Sequence, residues 1–130
     1  MDITTLRELR EPPVAVLRVT GPLTESGALI EQAQAAFDKG MRHILIDLSN
    51  VPYMATAGLR ALHAIYMLLR EAAGADAAAV GSGISAGTYA SPHLKLLGPN
   101  KHVLEVLKTA GYDMFLQIHT NYQQALESFG

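Results

Sequence analysis

Cysteine is absent from this chain of 130 residues, which excludes disulfides, thiolate zinc sites and a cysteine nucleophile. Long apolar runs are missing too, since none reaches the roughly 18–20 residues that a membrane-spanning helix needs. Neither sign of charge dominates: ten Lys and Arg stand against twelve Asp and Glu, for a formal charge of −2. The basic residues are scattered, so they form neither the stripe that nucleic acid requires nor a polybasic membrane anchor. Met1-Asp2-Ile3-Thr4 shows no basic segment running into an apolar one, and no secretory leader is expected. What is present, 49% hydrophobic and 17% charged residues, is the balance of one globular domain with a substantial core. The expectation is a soluble cytoplasmic domain.

Along the chain, strand and helix signals alternate. Glu11-Pro12-Pro13 is a turn, because proline fixes φ and lacks an amide donor. Val14–Thr20 follows with the branched residues of a strand, and Thr4–Arg10 is a candidate for the other arm of a hairpin. A helix is predicted over about Ser26–Lys39, with Leu29, Ile30, Ala33 and Phe37 on one face and Gly40 at the left-handed cap. The run Ile44, Leu45, Ile46 and Leu48 fits a central strand covered on both faces. A second helix is predicted over about Thr56–Arg70. Leu59, Leu62, Ile65, Tyr66 and Leu69 form its apolar stripe, with Arg60, His63, Met67 and Arg70 opposite. Beyond an Ala/Gly/Ser-rich stretch at about 72–92, His93–Gly98 holds a short strand. Asn100 caps a third helix in which Val103, Val106, Leu107 and Ala110 face inward and which ends at Gly111. Met114–His119 reads as a last strand. Asn121 caps a final short helix, with Gln124 at the capping-box position and Leu126 and Phe129 docking it. Alternating elements of this kind make an α/β domain.

Chemistry-bearing patterns are sparse. Gly81-Ser82-Gly83-Ile84-Ser85-Ala86-Gly87 has the look of a dinucleotide loop. Yet Ala77–Val80 is a poor strand, Tyr89–Pro92 does not open a helix, and the last glycine spacing is one residue too long. A surface insertion is the better reading. His43, His63, His93, His102 and His119 show neither an i,i+4 pair nor a short ligand spacing, so no metal site and no cofactor is predicted. No Gly-x-Ser-x-Gly elbow is present. Of the carboxylates Asp38, Asp47, Asp76, Glu105 and Asp113, only Asp47 attracts notice, at the carboxyl end of a strand where open α/β sheets bind ligands. A hydrogen-bonded turn is its simpler role.

The turn opening the second helix carries more information. Small residues leading into a helix expose amides at a positive dipole end. A phosphate added there changes the local charge by nearly two units and repels a partner docked on a neutral turn. Thr56 is its one hydroxyl, and a capping role worth about 1 kcal/mol is favoured over a phosphoacceptor role.

Met54-Ala55-Thr56-Ala57-Gly58-Leu59 resembles the regulatory loop of the STAS family (sulphate transporter and anti-sigma antagonist domains), which usually reads Met-Asp-Ser-Ser-Gly-Leu. The likeness extends through Arg42–Asp47, Pro52-Tyr53-Met54, Lys101–Gly111, Tyr112–His119 and Gln123–Leu126. It implies one STAS-like domain over 1–130, a mixed sheet flanked by helices, with 72–92 as an insertion. It further implies a non-enzymatic bacterial regulator that binds a protein, an anti-sigma factor or serine kinase, through Ala55, Thr56, Ala57, Gly58, Arg60 and His63. In such relatives the second serine is phosphorylated; here Ala57 holds that position and Ala55 the aspartate's, so the resemblance implies a lost switch. A STAS-like domain sensing a nucleotide or lipid is the alternative, and a small α/β enzyme using Asp47 or the Gly81–Gly87 loop the least favoured.

Overall fold

Branched and leucine-rich segments assemble into a five-stranded sheet of order β1-β2-β3-β4-β5. A computed structural model describes residues 1–72 and 91–129. The strands are β1 (Asp2–Glu8), β2 (Val14–Thr20), β3 (Ile44–Asn50), β4 (Leu94–Leu97) and β5 (Gln117–His119). β1 pairs antiparallel with β2, and β2 through β5 run parallel. The sheet is therefore mixed, with short parallel strands joined by helical crossovers. The hairpin arm runs from Asp2 to Glu8 rather than from Thr4 to Arg10, because Asp2 and Ile3 pair with Thr20 and Val19 and the pairing ends at Glu8 with Val14. Only Ile3 and Glu8 of β1 are shielded, which erases the alternation a sequence pattern could use.

Three helices, α1 (Gly27–Asp38), α2 (Thr56–Ala72) and α3 (Lys101–Thr109), pack against one face of the sheet. Leu29, Ala33 and Ala36 of α1, Leu62, Ile65 and Leu69 of α2, and Val103 and Leu107 of α3 meet Leu17, Ile44, Ile46, Leu48, Leu94 and Leu96 there. Leu59 and Val106 are half-buried and Ala110 is exposed, so these helices turn a narrower face inward than the periodicity suggested. The other face carries Val14, Val16, Leu45 and Leu97, covered by the short C-terminal helix α4 (Tyr122–Glu127) through Ala125, Leu126 and Phe129. β3 is thus buried on both sides, as its continuous apolar run requires.

Helix ends are held locally. Asn100 Oδ1 accepts from the Val103 amide at 2.8 Å and Asn121 Oδ1 from the Gln124 amide at 2.9 Å. Gly40 and Gly111 take the positive φ values, 93° and 80°, expected just past α1 and α3. Arg42 closes α1 further, donating to the Phe37 carbonyl at 2.8 Å while its guanidinium lies 3.7 Å from the Phe37 ring centre. The expected strand from Met114 is corrected: Tyr112–Met114 is a single 3-10 turn, and only Gln117–His119 is extended. Tyr112, in that turn, and Phe115, just past it, sit with ring centres 5.1 Å apart, so this segment forms a packed corner instead of a strand. Glu71 and Ala72 belong to α2, and Ser91 is buried, donating its amide to the Phe115 carbonyl at 2.8 Å. The Gly81–Gly87 loop, and most of the expected insertion, lie outside the described residues.

Candidate regulatory corner

Parallel strands deliver their following loops to the same edge of the sheet, and two of those loops lie side by side here. The loop after β2 and the loop after β3 zip together through main-chain bonds. Gly21 donates to the Asn50 carbonyl at 3.0 Å, Leu23 to that of Tyr53 at 3.1 Å, and Ala55 to that of Leu23 at 3.0 Å. A parallel bridge between Leu23 and Met54 results, with both side chains buried. From the other side Asn100, at the start of α3, donates its side-chain amide to the carbonyls of Val51 and Pro52 at 3.3 and 3.2 Å.

This scaffold fixes where α2 begins. The Ala55 carbonyl accepts the first helical bond from the Leu59 amide at 3.4 Å and a tighter one from Gly58 at 2.9 Å. Ala55 is therefore the N-cap and Thr56 the first helical residue, which corrects the capping role expected for Thr56. The Thr56 side chain is exposed and has no hydrogen-bond partner among the described residues. Ala55 and Ala57 are half-exposed, and Arg60 and His63 are exposed. Helical spacing of four and then three residues places Thr56, Arg60 and His63 on one face. Gly58 departs from the expected set, because it is buried beneath the turn rather than presented by it. A Cβ there would stand 2.6 Å from Met54 Cγ and 2.9 Å from Leu23 Cγ.

Tyr53, which the sequence reading left out of the site, is 46% exposed beside Pro52 at the tip of the loop. An exposed aromatic next to a proline could have flagged it. Farther along, Leu59, the α3 residues His102, Glu105, Val106 and Thr109, and the capping residue Ala110 line a shallow groove of about 370 Å³. Among the described residues named for the corner none is a carboxylate, and their charge comes from Arg60 alone.

Asp47 sits elsewhere. It is buried, accepting from Arg18 Nε at 3.2 Å, from the Ser49 amide at 3.0 Å and from Ser49 Oγ at 2.6 Å. Those partners occupy the carboxylate as a turn element, the simpler of its two expected roles. The rings of His43 and His93 lie 5.1 Å apart at a tilt of 52°, and His43 meets the Phe129 ring edge-on on the α4 face. Among the described residues no three His, Cys, Asp or Glu converge to hold a metal ion, and no helix is long and apolar enough to cross a membrane.

Comparison with known proteins agrees with this fold. The family model described as the STAS domain matches residues 7–76, more than half of the chain. Among solved structures, an anti-sigma factor antagonist from Mycobacterium paratuberculosis is 20% identical with a TM-score of 0.70, covering 98% of this chain and 94% of that one. An anti-sigma-factor antagonist (STAS) domain protein from Planctomyces limnophilus is 18% identical with a TM-score of 0.69, covering 99% and 98%. The Bacillus cell fate determinant SpoIIAA, in its phosphorylated form, is 15% identical with a TM-score of 0.62, covering 95% and 97%. No curated protein matches the chain by sequence. Identities this low speak for the fold alone, whereas the family model reads the sequence itself, from the end of β1 through α2. The chain belongs to the STAS domain family.

Proposed function

We propose that this protein is a non-enzymatic bacterial regulator that captures a protein partner on the corner formed by Pro52, Tyr53, Ala55, Thr56, Ala57, Arg60 and His63. The partner class is an anti-sigma factor, and the site of action is the cytoplasm. The observation that carries the reading is the exposure of a near-neutral turn at the start of α2, braced on both sides by hydrogen bonds. A rigid exposed turn loses little conformational freedom when a partner closes over it. Family membership and the folds described as anti-sigma factor antagonists supply the partner class.

The reading includes the loss of serine control. In this reading Ala57 takes the position of the family's modified serine, and an alanine has no hydroxyl to accept a phosphate. Thr56 has one, yet it lies one residue earlier and about 100° around the helix. We read it as part of the contact face, and 72–92 as an insertion in a single domain over 1–130.

The test is a titration of purified anti-sigma factors from the source organism against the native chain and the Ala57→Glu variant. A new carboxylate at a neutral interface should weaken association by about tenfold or more, with an unchanged circular dichroism spectrum. Equal binding by both proteins would remove the corner from the interface. Incubation with a kinase of the anti-sigma class and labelled ATP should leave the native chain unlabelled; stoichiometric label on Thr56 would restore a switch.

A further inference from the structure

The geometry points to Asn100 as the positioning residue of the docking loop: one side chain caps α3 with its oxygen and holds the 51–52 carbonyls with its nitrogen. This inference rests on the docking role proposed above. The orientation of the amide is fixed by its partners, since the Val103 N–H needs an acceptor at 2.8 Å and the Val51 and Pro52 carbonyls need a donor at 3.3 and 3.2 Å. Reversing the amide would set like against like at all three contacts.

Two further observations single out this contact. The loop is gripped on its β2 side by main-chain bonds that any residue could make, through Gly21, Leu23 and Ala55. On its α3 side the grip comes from a side chain 48 and 49 residues away in sequence. Pro52, whose carbonyl is so held, and the following Tyr53 form the exposed tip. Asparagine thus does something that the other good caps cannot. Asp would cap α3 equally well but has no N–H to offer, and its charge would face two carbonyl oxygens. Ser would cap with a side chain too short to reach the loop. Through this amide the start of α3, at one end of the groove lined by His102 and Val106, is coupled to the height of Pro52 and Tyr53.

Residue-resolved amide hydrogen exchange on the free protein separates the two roles. The Leu23 and Ala55 amides report the loop zipper, while those of Val103, Leu104 and Leu107 report α3. In Asn100→Asp, exchange at Leu23 and Ala55 is expected to quicken by about tenfold, the combined size of the two lost hydrogen bonds. The α3 amides should stay within about twofold of native. Asn100→Ser should show the same split, and serves if the aspartate variant does not fold. Unchanged loop amides in either folded variant, or an equal quickening of loop and helix, would reduce Asn100 to a helix cap and overturn the inference. No partner is present in this measurement, so its failure is distinct from failure of the Ala57→Glu titration.

Discussion

Tyr112 donates its phenol hydroxyl to the main-chain carbonyl of Leu59 at 2.9 Å, bridging the turn after α3 to the first turn of α2 across 53 positions of sequence. Burial raises the Tyr112 pKa above its ordinary value of 10.0, so the hydroxyl keeps its proton and remains a donor at any physiological pH. Tyr112→Phe keeps the ring beside Phe115 and deletes only this bond. The Leu59 carbonyl retains its place in the helix ladder, so no buried acceptor is orphaned. The expected loss is about 1 kcal/mol, seen as a lower urea midpoint with an unchanged slope. A midpoint equal to native would mean that packing alone joins the turn to α2.

Ala55 occupies a position where helices favour Asp, Asn, Ser or Thr. Its carbonyl already starts the helix, while its methyl leaves the amides of Ala57 and Gly58 without a side-chain acceptor. Ala55→Asp should stabilise the protein by about 1 kcal/mol through the cap and the favourable dipole, read as a higher urea midpoint. Ala55→Asn should recover most of that gain without charge. If neither variant is more stable, α2 does not begin where the Leu59 amide meets the Ala55 carbonyl.

Gly58 sets helix propensity against sterics. In a helix, Gly→Ala normally gains up to about 1 kcal/mol. Here the added methyl would press on Met54 Cγ and Leu23 Cγ at 2.6 and 2.9 Å, and both of those side chains are buried. Overpacking of this kind costs about 1–3 kcal/mol, so Gly58→Ala should be a net destabilising change by urea unfolding. A stabilised variant would show that the Leu23–Met54 bridge can yield without cost.

Much of this architecture could be read from sequence, and the failures share one cause. Ile44–Leu48 announced a central strand because both of its faces are apolar, and Asn100 and Asn121 announced helix starts because capping is a local act. The assignment of Thr56 as a cap failed because the N-cap was chosen by the Leu23–Met54 bridge, a contact between two loops. The Met114 strand failed because Met114 ends a 3-10 turn and Phe115, a good strand former, is spent with Tyr112 on a corner against Tyr66 and Leu59. Lys95 lies between apolar neighbours in Leu94–Leu97, and nothing nearby predicts that its ammonium is buried against Ser128. Gly58 matched a motif by identity, while its burial depends on what packs over it.

The α4 face makes stability sensitive to acid. His43 is held below its ordinary pKa of 6.5, first by burial and then by the neighbouring His93 and Lys95 charges. His119 is lowered likewise by burial and by Lys95. Each of these histidines therefore takes up a proton in the unfolded chain at a higher pH than in the folded one. Their contribution is complete above about pH 6.5 and drains away as pH falls through the lowered folded values. Lys95 Nζ is anchored by the Ser128 carbonyl at 2.8 Å and hydroxyl at 2.9 Å, so its charge stays fixed beneath α4. The native protein should have a lower urea midpoint at pH 5.0 than at pH 7.5. Lys95→Met removes one source of the depression, so the NMR titration midpoints of His43 and His119 should rise and the acid-induced loss should shrink. Because burial is the larger cause at both histidines, the loss should shrink without disappearing. An acid response identical in native and Lys95→Met proteins would assign the whole effect to desolvation and leave the ammonium without influence on its neighbours.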